Sequence, residues 1–218
     1  MPEAPSPRTR VRRHPERGVY DRAAVYAILD EALYCHVAFA RRGHPFVLPT
    51  LHARVGDRLY LHGAPASAML GTLAGGAEAC VAATLVDGLV LARSAYHHSL
   101  NYRSAVVFGH ARDVAERAEK LAALEALTDH VLPGRWRDLR PPTEAEVRST
   151  RVLRLDLEEV SAKVRAGPPG DVPEDPDLEV WAGVVPVRQA FGLPEPAPDM
   201  APRPLPPYLA RLLEGRRA

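Results

Sequence analysis

Cysteine is scarce in this chain: 218 residues hold only Cys35 and Cys80. Each lies in an apolar, strand-like run, so both read as buried free thiols rather than as a disulfide or a redox pair. No apolar stretch reaches the roughly 18 residues of a membrane-spanning helix. The opening segment, MPEAPSPRTRVRRHPERG, has no hydrophobic signal core. These absences predict a soluble, cytoplasmic protein with no membrane partner. An excess of charge is lacking too, since 28 Lys and Arg face 27 Asp and Glu for a formal net charge of +1. That balance excludes a broad attraction to nucleic acid and leaves only local basic patches. One patch is Arg8, Arg10, Arg12 and Arg13; with no aromatic residues interleaved, it reads as a solvated arm or a dimer-clasping segment. The histidines show no zinc-like spacing, and the adjacent His97 and His98 on one strand would point to opposite sides, so no metal site is expected. There is no internal repeat and no nucleophile–base–acid trio.

What is present is enough for one core, with 46% hydrophobic residues. Asp21 reads as the N-cap of a helix over 22–33, with Val25, Ile28, Leu29 and Leu33 at helical spacing. Strands are predicted at 34–41, 46–54, 58–62, 78–86, 89–94 and 103–114, with Asp87-Gly88 as a hairpin turn. Pro49 inside the second strand implies an edge, a bulge or a bend. A helix at 116–131, a short helical turn at 144–149 and a long strand at 151–165 follow. Residues 166–218 are rich in proline and show little periodicity beyond 208–213, so they read as an arm with a disordered end. The pattern predicts a mainly β protein with helices (α+β), built as a six- or seven-stranded, mostly antiparallel barrel.

Two polar clusters stand out. At 92–111, ARSAYHHSLNYRSAVVFGHA, the group Asn101, Tyr102, Arg103 and Ser104 opens an apolar strand that ends in Gly109. Polar groups held by a rigid strand are what a binding site requires. At 58–73 a strand ends at His62 and Gly63 and turns into a helix start near Pro65 and Ser67, which offers backbone N–H groups and a hydroxyl to an anion. From the residues alone, His62 is either a solvated strand-end histidine or a catalytic one. Arg103 and Ser104 are either ordinary strand-face residues or ligands.

The ordered series LYLHGAPAS at 59–67, HHSLNYRSAVVFGHA at 97–111, LPGRW at 132–136, SAKVRAGPPGD at 161–171 and WAGVVP at 181–186 resembles the pyridoxamine 5′-phosphate oxidase-like, FMN-binding split-barrel family. Within that family the nitroimidazole-resistance (Nim) type flavoproteins are the nearest branch. The resemblance spans about residues 10–190. It implies a basic, proline-containing arm at 1–18, a split-barrel domain at 19–190 and a proline-rich tail at 191–218.

The resemblance also implies a flavin site. Arg103 and Ser104 would anchor the FMN phosphate together with Ser67 and the backbone of 63–66, an arginine matching a phosphate in both charge and geometry. Relatives commonly carry a basic residue directly after the serine, where this chain has Ala68. Leu48, Pro49, Thr50 and Leu51 would line the pyrimidine edge of the ring, with His62 beside it. The family's flavin lies at a two-fold interface, so a homodimer is implied, in which Lys163, Arg165 and Trp181 reach the neighbour's cofactor. The implied function is an FMN-dependent oxidoreductase passing electrons from a reduced nicotinamide to a small organic acceptor such as a nitroaromatic. Alternatives are a non-catalytic flavin-binding or sensing protein, or a member of the fold using a deazaflavin or haem. Fold alone does not separate these.

Overall fold

The structure is a computed structural model that describes residues 3–172 and 178–214. Its strands are β1 (Gly18–Val19), β2 (Cys35–Arg41), β3 (His44–Thr50), β4 (His52–Val55), β5 (Arg58–Gly63) and β6 (Glu78–Leu91). The series continues with β7 (Ser99–His110), β8 (Arg112–Asp113), β9 (Arg151–Asp156), β10 (Glu159–Arg165) and β11 (Gly183–Pro186). The helices are α1 (Arg22–Glu31), α2 (Ala68–Ala74), α3 (Arg117–Val131), α4 (Glu144–Arg148) and α5 (Pro207–Glu214). One sheet runs β1-β10-β7-β6-β2-β3, with β11 also on β6; the other runs β4-β5-β9-β8. Every pairing among the described strands is antiparallel. This is the predicted α+β split barrel, with eleven described strands in two sheets where six or seven were expected.

The local signals explain why α1 fills it. Asp21 caps the helix by accepting from the Ala24 N–H at 3.1 Å. Val25, Ile28 and Leu29 then fall on one face and are buried. Opposite them the central strands present Ala79, Val81, Ala83, Ala105 and Val107. Small side chains there let the helix approach the sheet closely. Leu59, Leu61, Leu70, Leu73, Leu153 and Leu155 complete an aliphatic core, and truncating a fully buried leucine such as Leu29 costs about 2–5 kcal/mol.

Four sequence expectations change. The expected strand at 46–54 breaks at Leu51, where the chain leaves one sheet as β3 and enters the other as β4. That is the bend Pro49 announced. Residues 151–165 likewise divide into β9 and β10. Asp87-Gly88 makes no hairpin: β6 runs through it with a register shift between Val86 and Gly88. Gly88 instead lets β11 lie close, since a Cβ there would sit 2.9 Å from Val184 Cγ1. Third, β7 begins at Ser99, and His97 closes a 3-10 turn, with His98 after it, rather than sharing a strand with its neighbour.

The fourth change concerns the ends. The basic arm lies on the outer face of its own sheet: Arg8 bonds Glu78 and Glu159 and stacks over Phe108 at 4.8 Å. The tail holds β11 and α5, and Arg135 Nη1 donates to the Tyr208 hydroxyl at 2.7 Å. Among the described residues no helix is long and apolar enough to cross a membrane. Cys35 is buried, Cys80 is half-buried, and both thiols are free.

Candidate functional site

The β5–α2 turn forms the first part of the site. β5 pairs with β9 up to Gly63, so sheet hydrogen bonding holds His62 in place to the last residue of the strand. Residues 64–66 are exposed. Ser67 caps α2 through a long contact to the Leu70 N–H at 3.4 Å, and its own N–H closes onto the Ala64 carbonyl at 2.9 Å. The serine hydroxyl hydrogen is left to donate outward. A Cβ at Gly63 would come within 3.1 Å of Leu70 Cδ1, so glycine permits strand and helix to meet there.

His62 is half-buried, and its Nδ1 is buried without a partner among the described residues. Burial lowers its pKa below the usual histidine value. It is therefore a neutral imidazole at neutral pH, set at the rim of an open turn. A neutral imidazole is also the commonest nitrogen ligand for a metal.

Residues 48–51 approach the same end of the barrel. β4 pairs with β5 with His52 opposite Leu61, so Leu51, one residue earlier, arrives beside His62. Leu48, Pro49 and Leu51 are exposed and Thr50 is half-buried. β3 lies at the sheet edge, and its apolar side chains are open to a ligand or a second chain. The register thus sets Leu51 beside His62, with Gly63 and Ser67 following on the same turn, while Leu48, Pro49 and Thr50 lie on β3 of the other sheet.

The second cluster divides. Arg103 borders an open cavity of about 760 Å³, with its guanidinium paired to carboxylates. Its Nε and Nη2 donate to Asp87 at 3.0 and 2.8 Å, and its Nη2 donates to Glu31 at 2.8 Å, with Nη1 on the same carboxylate. Two carboxylates occupy the fork that a phosphate would need, and they raise the guanidinium pKa. In this structure Arg103 thus holds two carboxylates rather than standing free for the phosphate that the resemblance implied. Ser104 donates its hydroxyl to the Lys163 carbonyl at 3.2 Å, and Lys163 Nζ donates to the Arg13 carbonyl at 3.0 Å. Both are tied within the chain.

Asn101 and Arg165 form a separate pair. Arg165 donates to Asn101 Oδ1 and, at 3.2 Å, to the Pro168 carbonyl; Asn101 Nδ2 donates to the Gly167 carbonyl at 3.1 Å. Tyr102 is half-buried opposite Arg165 in the β10–β7 register. Trp181 is 65% exposed, with its ring against Gly183, where a Cβ would sit 2.8 Å from Cη2. An indole this exposed is available to a partner.

Sequence reading missed the pair His52 and His130. His52 is fully buried, its Nε2 donates to the Leu29 carbonyl at 2.8 Å, and its ring lies 4.8 Å from that of His130. His130 Nε2 donates to the Ala32 carbonyl at 2.8 Å. The two imidazoles tie α3 and β4 to the end of α1. Desolvation drives the His52 pKa down to about 4. Alternation places His52 with Arg54 on one face of β4; the packing of α1 and α3 on that strand buries it.

The chain belongs to the pyridoxamine 5′-phosphate oxidase family, whose sequence model matches residues 21–164, and it has that family's flavin-binding split-barrel fold. Two solved structures extend the likeness over nearly the whole chain. The flavocytochrome Anf3 from Azotobacter vinelandii is 41% identical, covers 96% of this chain and 98% of its own, and superposes with a TM-score of 0.90. The FAD and haem binding protein from Mycobacterium smegmatis is 40% identical, with coverage of 90% and 97% and a TM-score of 0.87. A putative 5-nitroimidazole antibiotic resistance protein from Bacteroides thetaiotaomicron shares the fold at 24% identity, 67% and 86% coverage and a TM-score of 0.56. No curated protein matches the chain.

Proposed function

We propose that this chain is a flavin-dependent oxidoreductase that also holds haem, working as a homodimer. The reading is carried by His62, a half-buried imidazole that burial keeps neutral, near the end of β5 before α2. It is supported by near-full-length likeness to a flavocytochrome and to an FAD and haem binding protein. The residues fit both groups. Residues 48–51 supply an exposed apolar wall for a planar ring, and the Ser67 hydroxyl supplies a donor at the turn. His62 supplies a nitrogen ligand of the type haem iron takes.

When bound, these groups supply the hydride and one-electron chemistry. The chain's own residues orient and shield. Pro49 would stiffen the wall beside the ring, and His62, kept neutral by burial, would hold the iron or a substrate group. With a flavin bound, the electron donor would be a reduced nicotinamide and the acceptor a small organic molecule such as a nitroaromatic. FMN is the flavin that the motif series implies, and FAD is the one borne by the relative from M. smegmatis. Apolar side chains exposed on β3, Phe46, Val47 and Leu48, together with Trp181, form the dimer face and bring Trp181 to the neighbour's cofactor.

The absorption spectrum of purified protein tests this reading. Flavin bands together with a Soret band are expected, with the Soret band lost in His62→Ala and the flavin bands retained. Protein that stays colourless after incubation with FMN, FAD and haemin would overturn it.

A further inference from the structure

Several arginines of this chain lie on a carboxylate, Arg8, Arg54, Arg58, Arg93, Arg103 and Arg117 among them. Arg165 has neutral partners, the Asn101 amide oxygen and the Pro168 carbonyl, which orient a guanidinium without cancelling its charge. Asp171, the acidic residue closing the same segment, is taken by Arg93, which holds its carboxylate through the side chain at 2.8 Å and the backbone N–H at 3.1 Å.

Arg17 brings a second positive charge to the same place. A cavity of about 420 Å³ is lined by Glu16, Arg17, Val164, Arg165, Ala166, Pro168 and Gly170. Its one carboxylate, Glu16, is shared between His14 Nδ1 at 3.1 Å and Arg17 Nε at 3.6 Å. Both arginines line this opening, and burial first, then repulsion from Arg17, lower the Arg165 pKa. β1 fixes their separation by pairing Gly18 with Lys163 and Val19 with Ala162. Like charges held together by the backbone favour an anion between them.

We propose that Arg17 and Arg165 form a binding pocket for a phosphate group of a small molecule. Orientation by Asn101 and Pro168 presets the Arg165 fork, so little side-chain freedom is lost when the anion arrives. Either of two phosphate sources fits this chemistry, a flavin or a nicotinamide dinucleotide. The pocket itself does not depend on the flavin and haem reading, which supplies only the competitors used below.

Calorimetric titration with inorganic pyrophosphate tests the pocket on the full chain. Binding by the wild type is expected, weakened at least tenfold in Arg165→Gln and in Arg17→Gln. Arg17→Gln keeps the test open if loss of the Asn101 contact unfolds the first variant. FMN, FAD and NADPH are then titrated with and without saturating pyrophosphate. Competition with a flavin alone or with NADPH alone supports the pocket and identifies its source. Absence of pyrophosphate binding, equal binding by wild type and both variants, or competition with none of the three would overturn the proposal. Flavin and Soret bands persisting beside such a failure would leave the oxidoreductase reading standing.

Discussion

Arg103 lies flat against Asp87, sixteen residues earlier in the chain, with Nε 3.0 Å from Oδ2 and Nη2 2.8 Å from Oδ1. Glu31, at the end of α1, takes the other side of the same guanidinium. This cluster joins the helix inside the barrel to two neighbouring strands. Arg103→Ala is therefore expected to lower stability by about 1–2 kcal/mol, because partly exposed pairs contribute up to about 1 kcal/mol each. The ratio of FMN to riboflavin affinity should not move. A selective loss of FMN affinity, roughly 30-fold or more, would return the residue to the phosphate.

Acid should destabilise the protein through His52. Its folded pKa, about 4, lies below the ordinary histidine value near 6.5, so the unfolded chain binds the proton more tightly. Stability is then full above pH 6.5 and falls as pH drops toward 4, by about 3 kcal/mol in all. His62, also lowered by burial, adds in the same direction. Denaturant midpoints at pH 7 and pH 5 should separate clearly for wild type and less for His52→Gln. Identical pH dependence in the two would remove His52 as the cause.

Gly88 should tolerate no side chain without loosening β11. A methyl group there would meet Val184 Cγ1 at 2.9 Å and the Val185 carbonyl at 3.2 Å, and the second contact is backbone that cannot rotate away. Gly88→Ala is expected to cost about 1–3 kcal/mol and to speed amide exchange in residues 183–186. Unchanged exchange would mean that β6 shifts instead.

The exposed edge strand bears on assembly. Val47 is 60% exposed on β3, an apolar position that a lone chain would be expected to make polar. Val47→Asp should weaken self-association at least tenfold in sedimentation experiments, with cofactor affinity falling in parallel. A wild-type monomer that binds one flavin per chain would count against the dimer.

Much of the fold is legible along the chain because its signals act over a few residues. The Asp21 cap, the spacing of Val25, Ile28 and Leu29, and the helix over 116–131 all read correctly. Period and capping are local, and burial later agreed with them. Asp87-Gly88 misled for the opposite reason: the dipeptide has hairpin chemistry, yet β11, arriving from a hundred residues away, holds that stretch extended.

The candidate site divides in the same way. Gly63 and Ser67 were placed by a turn whose residues are contiguous, and His62 gains its position from the strand that ends there. The partner of Arg103 was not legible, since Glu31 lies 72 residues away. Nor was the burial of His52, which depends on α1 and α3 packing on a strand whose own alternation carries no such mark. Sequence by itself determined the elements, the family and the residue types at the turn. Tertiary structure alone decided which charges are cancelled and which imidazoles are dry, because desolvation and ion pairing depend on what distant chain segments bring within a few ångströms.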